Sequence, residues 1–401
     1  MEVLKTIGFV LESLLLLYFG FAALYIFVFA FAGLFPARKR NPKLDKPHRF
    51  AVLIPGYKED NVIVEVAEHA LRQNYPRDSF EVVIIADSFQ AKTLNALKEL
   101  PIRLVEVSFE KSTKSKAMKK SLVTIGNGYD IALVLEADIL MERDFLTIMY
   151  LAFNSGFRIV QGHRIAKNQN TPMAILDAIS EEINNHIFRK GHRVLGLSSA
   201  LIGSGMAFDY TFFKEMMANV NAVGGFDKEL ELKLLRDGNT IEYLNDAYVL
   251  DEKVQKSEVF ANQRKRWLSA QFVYFRRYVL SGLKELFLRG NVDFADKVYQ
   301  MVSPPRVLLL GLVMGFTMLY TLVESYLKLE WLQVSPTIWY GIAGITVLAF
   351  LFATPTKFYR VATFKAMATL PSAFFTMFLS LFKLKGANKK FIHTQHGTPN
   401  S

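Results

Sequence analysis

The chain has 401 residues and carries 48 Lys and Arg against 37 Asp and Glu, a formal charge of +11. It is nevertheless 51% hydrophobic with a mean hydropathy of +0.19, which excludes a disordered chain, where high charge goes with low hydrophobicity. With no cysteine there is no disulfide, thiolate metal site or Cys nucleophile, and the seven His lack the HExxH spacing of zinc hydrolases.

Residues 13–36 hold no charge and are dense in Leu, Phe, Ala and Tyr. A helix of that length spans roughly 36 Å, enough to cross a hydrocarbon core. A signal peptide has a shorter apolar region and would not be followed by Arg38, Lys39 and Arg40, so residues 8–36 read as an N-terminal transmembrane anchor. The basic run at 38–46 marks the cytoplasmic side and leaves the N-terminus outside.

Residues 48–270 have ordinary globular composition and a length that suits one cytoplasmic α/β domain. Apolar strands are predicted at 50–54, 81–86, 102–107 and 131–135, alternating with helices that end near Arg72, Leu100 and Val123. That alternation predicts a doubly wound α/β sheet, in which ligands bind beyond the strand C-termini. Three strands reach that edge with polar residues: Tyr57 and Glu59 following Pro55, then Asp87, then Glu136 with Asp138. A core has no packing need for carboxylates there.

Two carboxylates one residue apart can present oxygens to a hard divalent cation that also binds phosphate. A strand end with a capping Asp would look the same. The basic loop at 111–116 shares this edge but lacks the glycines of a phosphate-cradling loop, so an NTPase reading is rejected. Lys114 or Lys116 then offers a point charge for a phosphate, or is a solvated surface residue. Further on, Gly203-Ser204-Gly205 reads equally as a tight turn or a substrate loop. Asp227, after Gly224-Gly225-Phe226, stands at a helix start, where N-capping is the ordinary role, and Gly238 ends that helix. Gln263-Arg264-Lys265-Arg266-Trp267 precedes the C-terminal apolar region, as a juxtamembrane basic stripe with an interface Trp would.

Residues 271–305 read as an interfacial, amphipathic linker, and residues 306–356 as two transmembrane helices. The run at 366–384 is shorter, contains Pro371 and leads into a basic tail at 385–401. A further span would carry that charge outside, so an interfacial or re-entrant helix is expected.

The motifs taken in order resemble the membrane-bound family-2 glycosyltransferases, the cellulose, chitin and hyaluronan synthases and their smaller bacterial relatives. They are Pro55-Gly56-Tyr57-Lys58-Glu59, a strand-end Asp87, Glu136-Ala137-Asp138, Gly224-Gly225-Phe226-Asp227 and Gln263-x-x-Arg266-Trp267. The resemblance implies an A-type glycosyltransferase fold, a nucleotide-diphosphate sugar donor (a UDP-sugar above all), Mg²⁺ or Mn²⁺, and inversion at the anomeric carbon. It implies that Pro55, Tyr57 and Glu59 line the base and ribose pocket, that Asp87 holds the uracil and that Lys116 contacts the nucleotide. It implies metal coordination by Asp138, a catalytic base in Asp227, and contacts of Gln263, Arg266 and Trp267 with acceptor and diphosphate. Glu136 stands where the family has Asp, so its part in the metal site stays open. Asp227 lacks the family's preceding Thr-Glu, which leaves Glu229 as a rival base.

The expected activity is transfer of a hexose or N-acetylhexosamine to a growing glycan at the cytoplasmic membrane face. Transfer of one sugar to a membrane lipid is the alternative, and a catalytically silent membrane scaffold is the reading from another class. Nucleic acid is not an expected partner, because the positive charge sits mainly beside the apolar runs. Three spans are few for export by one chain, so an oligomer or an export partner stays open.

Overall fold

The computed structural model describes residues 2–37, 40–43, 45–222, 224–253, 257–327 and 334–381, without the side chains of residues 2, 4, 257–262, 266 and 380. Arg38, Lys39, the basic tail at 385–401 and the side chain of Arg266 lie outside the described residues. In chain order the elements are α1 (Glu2–Ala32), β1 (Phe50–Tyr57), α2 (Ile63–Ala70), β2 (Phe80–Asp87), α3 (Ala91–Lys98), β3 (Arg103–Val107), α4 (Lys114–Ile125), β4 (Ile131–Val134), β5 (Leu140–Met141), α5 (Phe145–Phe153) and β6 (Ile159–Ala166). There follow α6 (Pro172–Asn184), α7 (His192–Val194), β7 (Met206–Asp209), α8 (Tyr210–Ala218), α9 (Phe226–Arg236), β8 (Glu242–Asp251), α10 (Ser257–Arg289), α11 (Val292–Gln300), α12 (Arg306–Leu322), α13 (Pro336–Ala353), α14 (Val361–Met367) and α15 (Leu370–Leu381).

Strand periodicity builds the centre. Phe50, Val52 and Ile54 of β1 enter one apolar layer with α2 and α5, while Ala51 and Leu53 enter the other with α4, α8 and α9. Both faces of the sheet are therefore covered, as the continuous apolar strands predict. The eight strands lie in the order β3-β2-β1-β4-β7-β6-β8-β5. The first four are parallel, and β7 then runs antiparallel to β4. This reversal matters, because it sets the turn that enters β7 beside the residues that leave β4.

Residues 271–305, expected as a linker, are carried by α10 and α11 and bury Tyr274, Tyr278, Phe294 and Val298 in the second layer. Among the described residues four helical segments are long and apolar enough to cross a membrane: Lys5–Ala32, Arg306–Tyr326, Pro336–Ala353 and Val361–Leu379. The last overlaps the run at 366–384 expected to be interfacial, whose final residues 382–384 lie outside the described residues, and is made of parts of α14 and α15 joined through Ala368 and Thr369. Trp339 of α13, Phe19 of α1 and Leu309 of α12 share one buried cluster. There the Tyr320 hydroxyl donates to buried Glu12 at 2.8 Å.

Candidate active site

The strand exits β1 and β2 are in register, so Tyr57 lies opposite Asp87 at the sheet edge. Each strand is followed by a non-glycine residue in the left-handed region, Lys58 at φ +56° and Ser88 at φ +62°. Such backbone costs about 1–2 kcal/mol per residue. Two adjacent strand ends sharing it form a bent edge rather than a chance turn. The Lys58 N–H donates to the Asp87 carbonyl at 3.1 Å and the Ser88 hydroxyl to its carboxylate at 3.0 Å, which fixes buried Asp87 in place. Gly56 lets the Phe89 ring close over the strand end, since a Cβ there would come within 2.6 Å of Phe89 Cζ and the half-buried ring would have to move. Pro55 lies on the same strand, and Glu59 just beyond it is buried.

The exit of β4 meets three further elements. The Glu136 N–H donates to Ser204 Oγ at 3.1 Å, tying the strand exit to the Gly203-Ser204-Gly205 turn. Gly203 has φ +83°, and a Cβ built on it would lie 3.6 Å from Glu136 Oε1 and 3.8 Å from Asp227 Cβ. The turn that read equally as structural or functional thus separates the two carboxylates by one glycine. Gly203→Ala should cost about 1–2 kcal/mol for the left-handed backbone alone. It should also place a methyl between Glu136 and Asp227, at van der Waals distance from both, so turnover should fall by more than the shift in thermal midpoint explains when the two are measured together.

Lys114 closes this group. Its ammonium lies 3.3 Å from Glu136 Oε1 and donates to the Gly203 carbonyl at 2.9 Å. Lys116 points elsewhere and donates to the Lys111 carbonyl at 2.9 Å. The two lysines are the first and third residues of α4, about 200° apart around the helix, so only one faces the sheet edge. Asp138 sits half-buried in the turn after β4.

Asp227 is the second residue of α9, and the N-cap is Gly225 at φ +67°, so Asp227 is not the capping residue expected from its position. A Cβ on Gly225 would lie 3.2 Å from the Tyr274 ring, whose hydroxyl donates to the Gly224 carbonyl at 2.9 Å. Tyr274 thus clamps the start of α9. Burial, with Glu231 and Glu136 nearby, pushes the Asp227 carboxyl above its ordinary range against the opposing pull of Lys228 and Lys114. Glu229, the rival base, is buried and held by Lys233 at 2.9 Å, about 200° around the helix from Asp227.

Gln263 and Trp267 lie on α10. Trp267 shares a helical stripe with Ala270 and Tyr274, which touch Gly225, and remains 43% exposed. The Arg264 guanidinium stacks over the Trp267 ring at 4.5 Å and donates to Asp177 at 2.7 Å.

Two charged networks support the site, and neither has a sequence signal. Arg164 lies 4.0 Å from Glu136, and on its other side it meets Glu181 at 2.7 Å and Asp251 at 3.5 Å. Burial raises the Glu181 pKa, but Arg164, Lys253 and Arg189 together hold it well below the carboxylate range. The second network begins at Asp227, 4.0 Å from Lys228, which pairs with buried Glu231 at 3.3 Å. Glu231 pairs with buried Lys297 at 2.8 Å, and Lys297 donates to Gln300 at 2.7 Å. Gln300 donates to the Tyr25 hydroxyl of α1 at 3.1 Å and to Asp296 at 2.8 Å. His192, which accepts or donates at Tyr25, stacks on Phe29 of α1 at 3.7 Å.

Among solved structures the chain is similar to a mannosyltransferase from Pyrobaculum calidifontis in complex with GDP-Man and Mn²⁺ (16% identity, TM-score 0.49, covering 87% of this chain and 97% of that one). It is also similar to glucosyl-3-phosphoglycerate synthase from Mycobacterium tuberculosis with Mn²⁺ and UDP (14%, TM-score 0.38, 56% and 82%), and to S. aureus TarS (16%, TM-score 0.40, 83% and 55%). No curated protein sequence matches. The family model described as "Glycosyltransferase like family 2" matches residues 47–270, which is more than half of the chain and spans every strand exit described above. The chain therefore belongs to the family-2 glycosyltransferases, with their mixed α/β, A-type fold.

Proposed function

We propose that the protein transfers a hexose or N-acetylhexosamine, with inversion, from a nucleotide-diphosphate sugar to an acceptor hydroxyl at the cytoplasmic face of a membrane. The observation that carries this is the Gly203 turn, around which the Glu136 strand exit, Lys114 and Asp227 converge. An alcohol has a pKa far above 7 and needs a base at the moment of attack. Asp227 is that base, because burial makes its carboxylate more basic than an exposed one. As the donor breaks, negative charge grows on the leaving diphosphate, and Lys114 supplies a fixed cation against it. Lys116 is directed back to its own loop, so the phosphate-facing role passes to its neighbour.

The turn after β4 fits a hard divalent cation. Asp138 and Glu136 are oxygen donors from one strand exit, and Mg²⁺ or Mn²⁺ typically uses one or two carboxylates together with substrate phosphate oxygens. Glu136 is drawn toward Lys114 and Arg164, and Asp138, at the motif position that the family resemblance gives to the metal, is the principal ligand. The ion supplies positive charge to the leaving diphosphate when bound. Pro55, Tyr57, Glu59 and Asp87 line the base and ribose pocket, with the Asp87 carboxylate accepting from a base N–H, as uracil would offer. Trp267 offers an apolar face to an acceptor sugar, with Gln263 and Arg266 beside it on the same helix. The four apolar helices and the basic run at 38–46 support a multi-pass membrane protein whose catalytic domain faces the cytoplasm.

The test uses membranes containing the full chain, incubated with labelled UDP-glucose, UDP-N-acetylglucosamine and GDP-mannose, with EDTA and with Mn²⁺ added back. Product formation should be lost in EDTA, return with Mn²⁺, and fall on the order of 10²-fold in Asp138→Asn. Turnover near wild type both in EDTA and in Asp138→Asn would overturn the reading.

A further inference from the structure

Gln161 is fully buried on β6, two residues after Ile159 and on the same strand face, which packs into the apolar layer with Leu201 and Met206. An apolar side chain is the ordinary occupant of such a position, because a buried amide is costly unless it is hydrogen-bonded. Here the amide is used in full. Its Oε1 accepts the Ile202 N–H at 3.1 Å. Its Nε2 donates to the Ser204 carbonyl at 3.0 Å, and to those of Gly162 and Gly205 at 2.9 and 3.3 Å. The orientation is forced, since the reversed amide would set its oxygen against three carbonyl oxygens.

The backbone around it explains the residue type. The ladder between β6 and β7 ends at the pair Gln161 and Met206. Just before Met206, Gly203 and Gly205 hold the chain out of strand geometry at φ +83° and +63°. Buried backbone groups beyond the ladder still have to be paired. A primary amide carries a donor and an acceptor side by side, as a peptide group does, so one side chain supplies both halves of the missing rung. Ile202 and Ser204 are the residues on either side of Gly203, the glycine that separates Glu136 from Asp227.

Charged groups hold the same segment. Arg189 donates to the Ala200 carbonyl at 3.2 Å, Glu231 accepts the Leu201 N–H at 3.0 Å, and Lys228 donates to the Leu201 carbonyl at 3.2 Å. Lys114 of α4 donates to the Gly203 carbonyl at 2.9 Å. Gln161 differs from these in being neutral and in spending its hydrogen bonds on backbone. Its grip is passed on through Ser204, whose hydroxyl accepts the Glu136 N–H.

We propose that Gln161 is a positioning residue for sugar transfer: by fixing the backbone on both sides of Gly203 it sets where Glu136 stands relative to Asp227. Being fully buried, it touches no substrate. This rests on the glycosyltransferase reading of the turn and adds to it a residue that acts from inside the sheet.

The experiment compares Gln161→Met and Gln161→Glu with wild type as full chains in nanodiscs, between pH 5 and pH 8. Two readouts are taken: turnover of UDP-glucose, UDP-N-acetylglucosamine and GDP-mannose with Mn²⁺, and amide hydrogen exchange over residues 131–138 and 199–206. Gln161→Met loses both halves of the rung, so kcat per folded molecule should fall by about 10- to 100-fold with donor KM unchanged. Exchange should quicken in both segments. The Gln161→Glu carboxylate cannot donate to the Ser204 carbonyl, whereas its protonated form can, and burial raises such a carboxyl into the range scanned. Relative to wild type at each pH, this variant should therefore resemble Gln161→Met at pH 8 and recover both turnover and protection as pH falls. A side chain that only stabilises the fold would lower the thermal midpoint without this pH-dependent return of kcat. Gln161→Glu at low pH also keeps the test decisive if Gln161→Met fails to fold. Unchanged exchange over 131–138 in both variants would overturn the proposal, as would kcat within about twofold of wild type in Gln161→Met. If wild type turns over none of the donors, the donor reading fails, and the exchange measurement alone decides whether Gln161 holds the turn.

Discussion

Asp227→Asn should lower kcat by a factor on the order of 10²–10⁴ while leaving donor binding nearly intact, because the amide keeps the shape and loses the base. The pH dependence sharpens the result. Burial raises the folded-state pKa of Asp227. The acid limb of the wild-type kcat profile should therefore fall at higher pH than an exposed carboxylate would give, and activity is lost as pH drops through that value. The stability sign is opposite. A raised carboxyl pKa means that stability is fully present below the unfolded pKa and is lost as pH rises through the folded one. Asp227→Asn removes that loss at neutral pH, so its thermal midpoint should equal or exceed wild type. A dead enzyme that is no less stable separates a lost base from a misfolded chain. Turnover within twofold of wild type, or a lowered midpoint, would count against the assignment (about twofold being too small for a lost base).

The second large effect is on stability. Lys297→Met should destabilise the protein by about 3–5 kcal/mol, the cost of leaving a buried ion-pair partner behind. Lys297 and Glu231 are 1% and 0% exposed and 2.8 Å apart. Lys228 still faces Glu231 at 3.3 Å, which favours the lower end of that range. Burial pushes the Glu231 pKa up, but Lys228 and Lys297 more than offset this and hold it low. Its stability contribution is thus present above the unfolded carboxyl pKa and lost as pH falls through the depressed one. In Lys297→Met that loss should begin at higher pH. The measurement is thermal unfolding of the full chain in nanodiscs from pH 4 to pH 8. The double variant Glu231→Gln with Lys297→Met should recover much of the difference, since no unpaired carboxylate remains.

What could be read in the sequence followed what is periodic or local. Continuous apolar runs along 50–54, 81–86 and 131–135 mark buried strands whose ends carry Tyr57, Asp87 and Glu136, because a short apolar run and the polar residues that close it are written in neighbouring residues. Strand direction is not local, so the antiparallel β7 was not legible, and with it the meeting of Gly203 with Glu136. Helical phase chose Lys114 over Lys116, and only a known start for α4 decides that phase. Arg164, Glu181, Arg189 and Lys253 span almost ninety residues with no common spacing, and each alone looks like surface charge. Tyr274 was within reach, since it lies two helical turns beyond Trp267 and faces the same way.

The network from Asp227 through Glu231, Lys297 and Gln300 ends on Tyr25 and on the Phe29–His192 stack, both made by the first apolar helix. That helix therefore completes the interior of the catalytic domain, besides being long and apolar enough to cross a membrane. Its sequence answers to two demands at once, apolarity along its length and hydroxyl and ring contacts with a polar protein interior on one face. Exchanging it for an unrelated apolar segment would keep the apolar length yet leave Asp296, Gln300 and His192 facing carbon, so this helix is not a modular part of the enzyme.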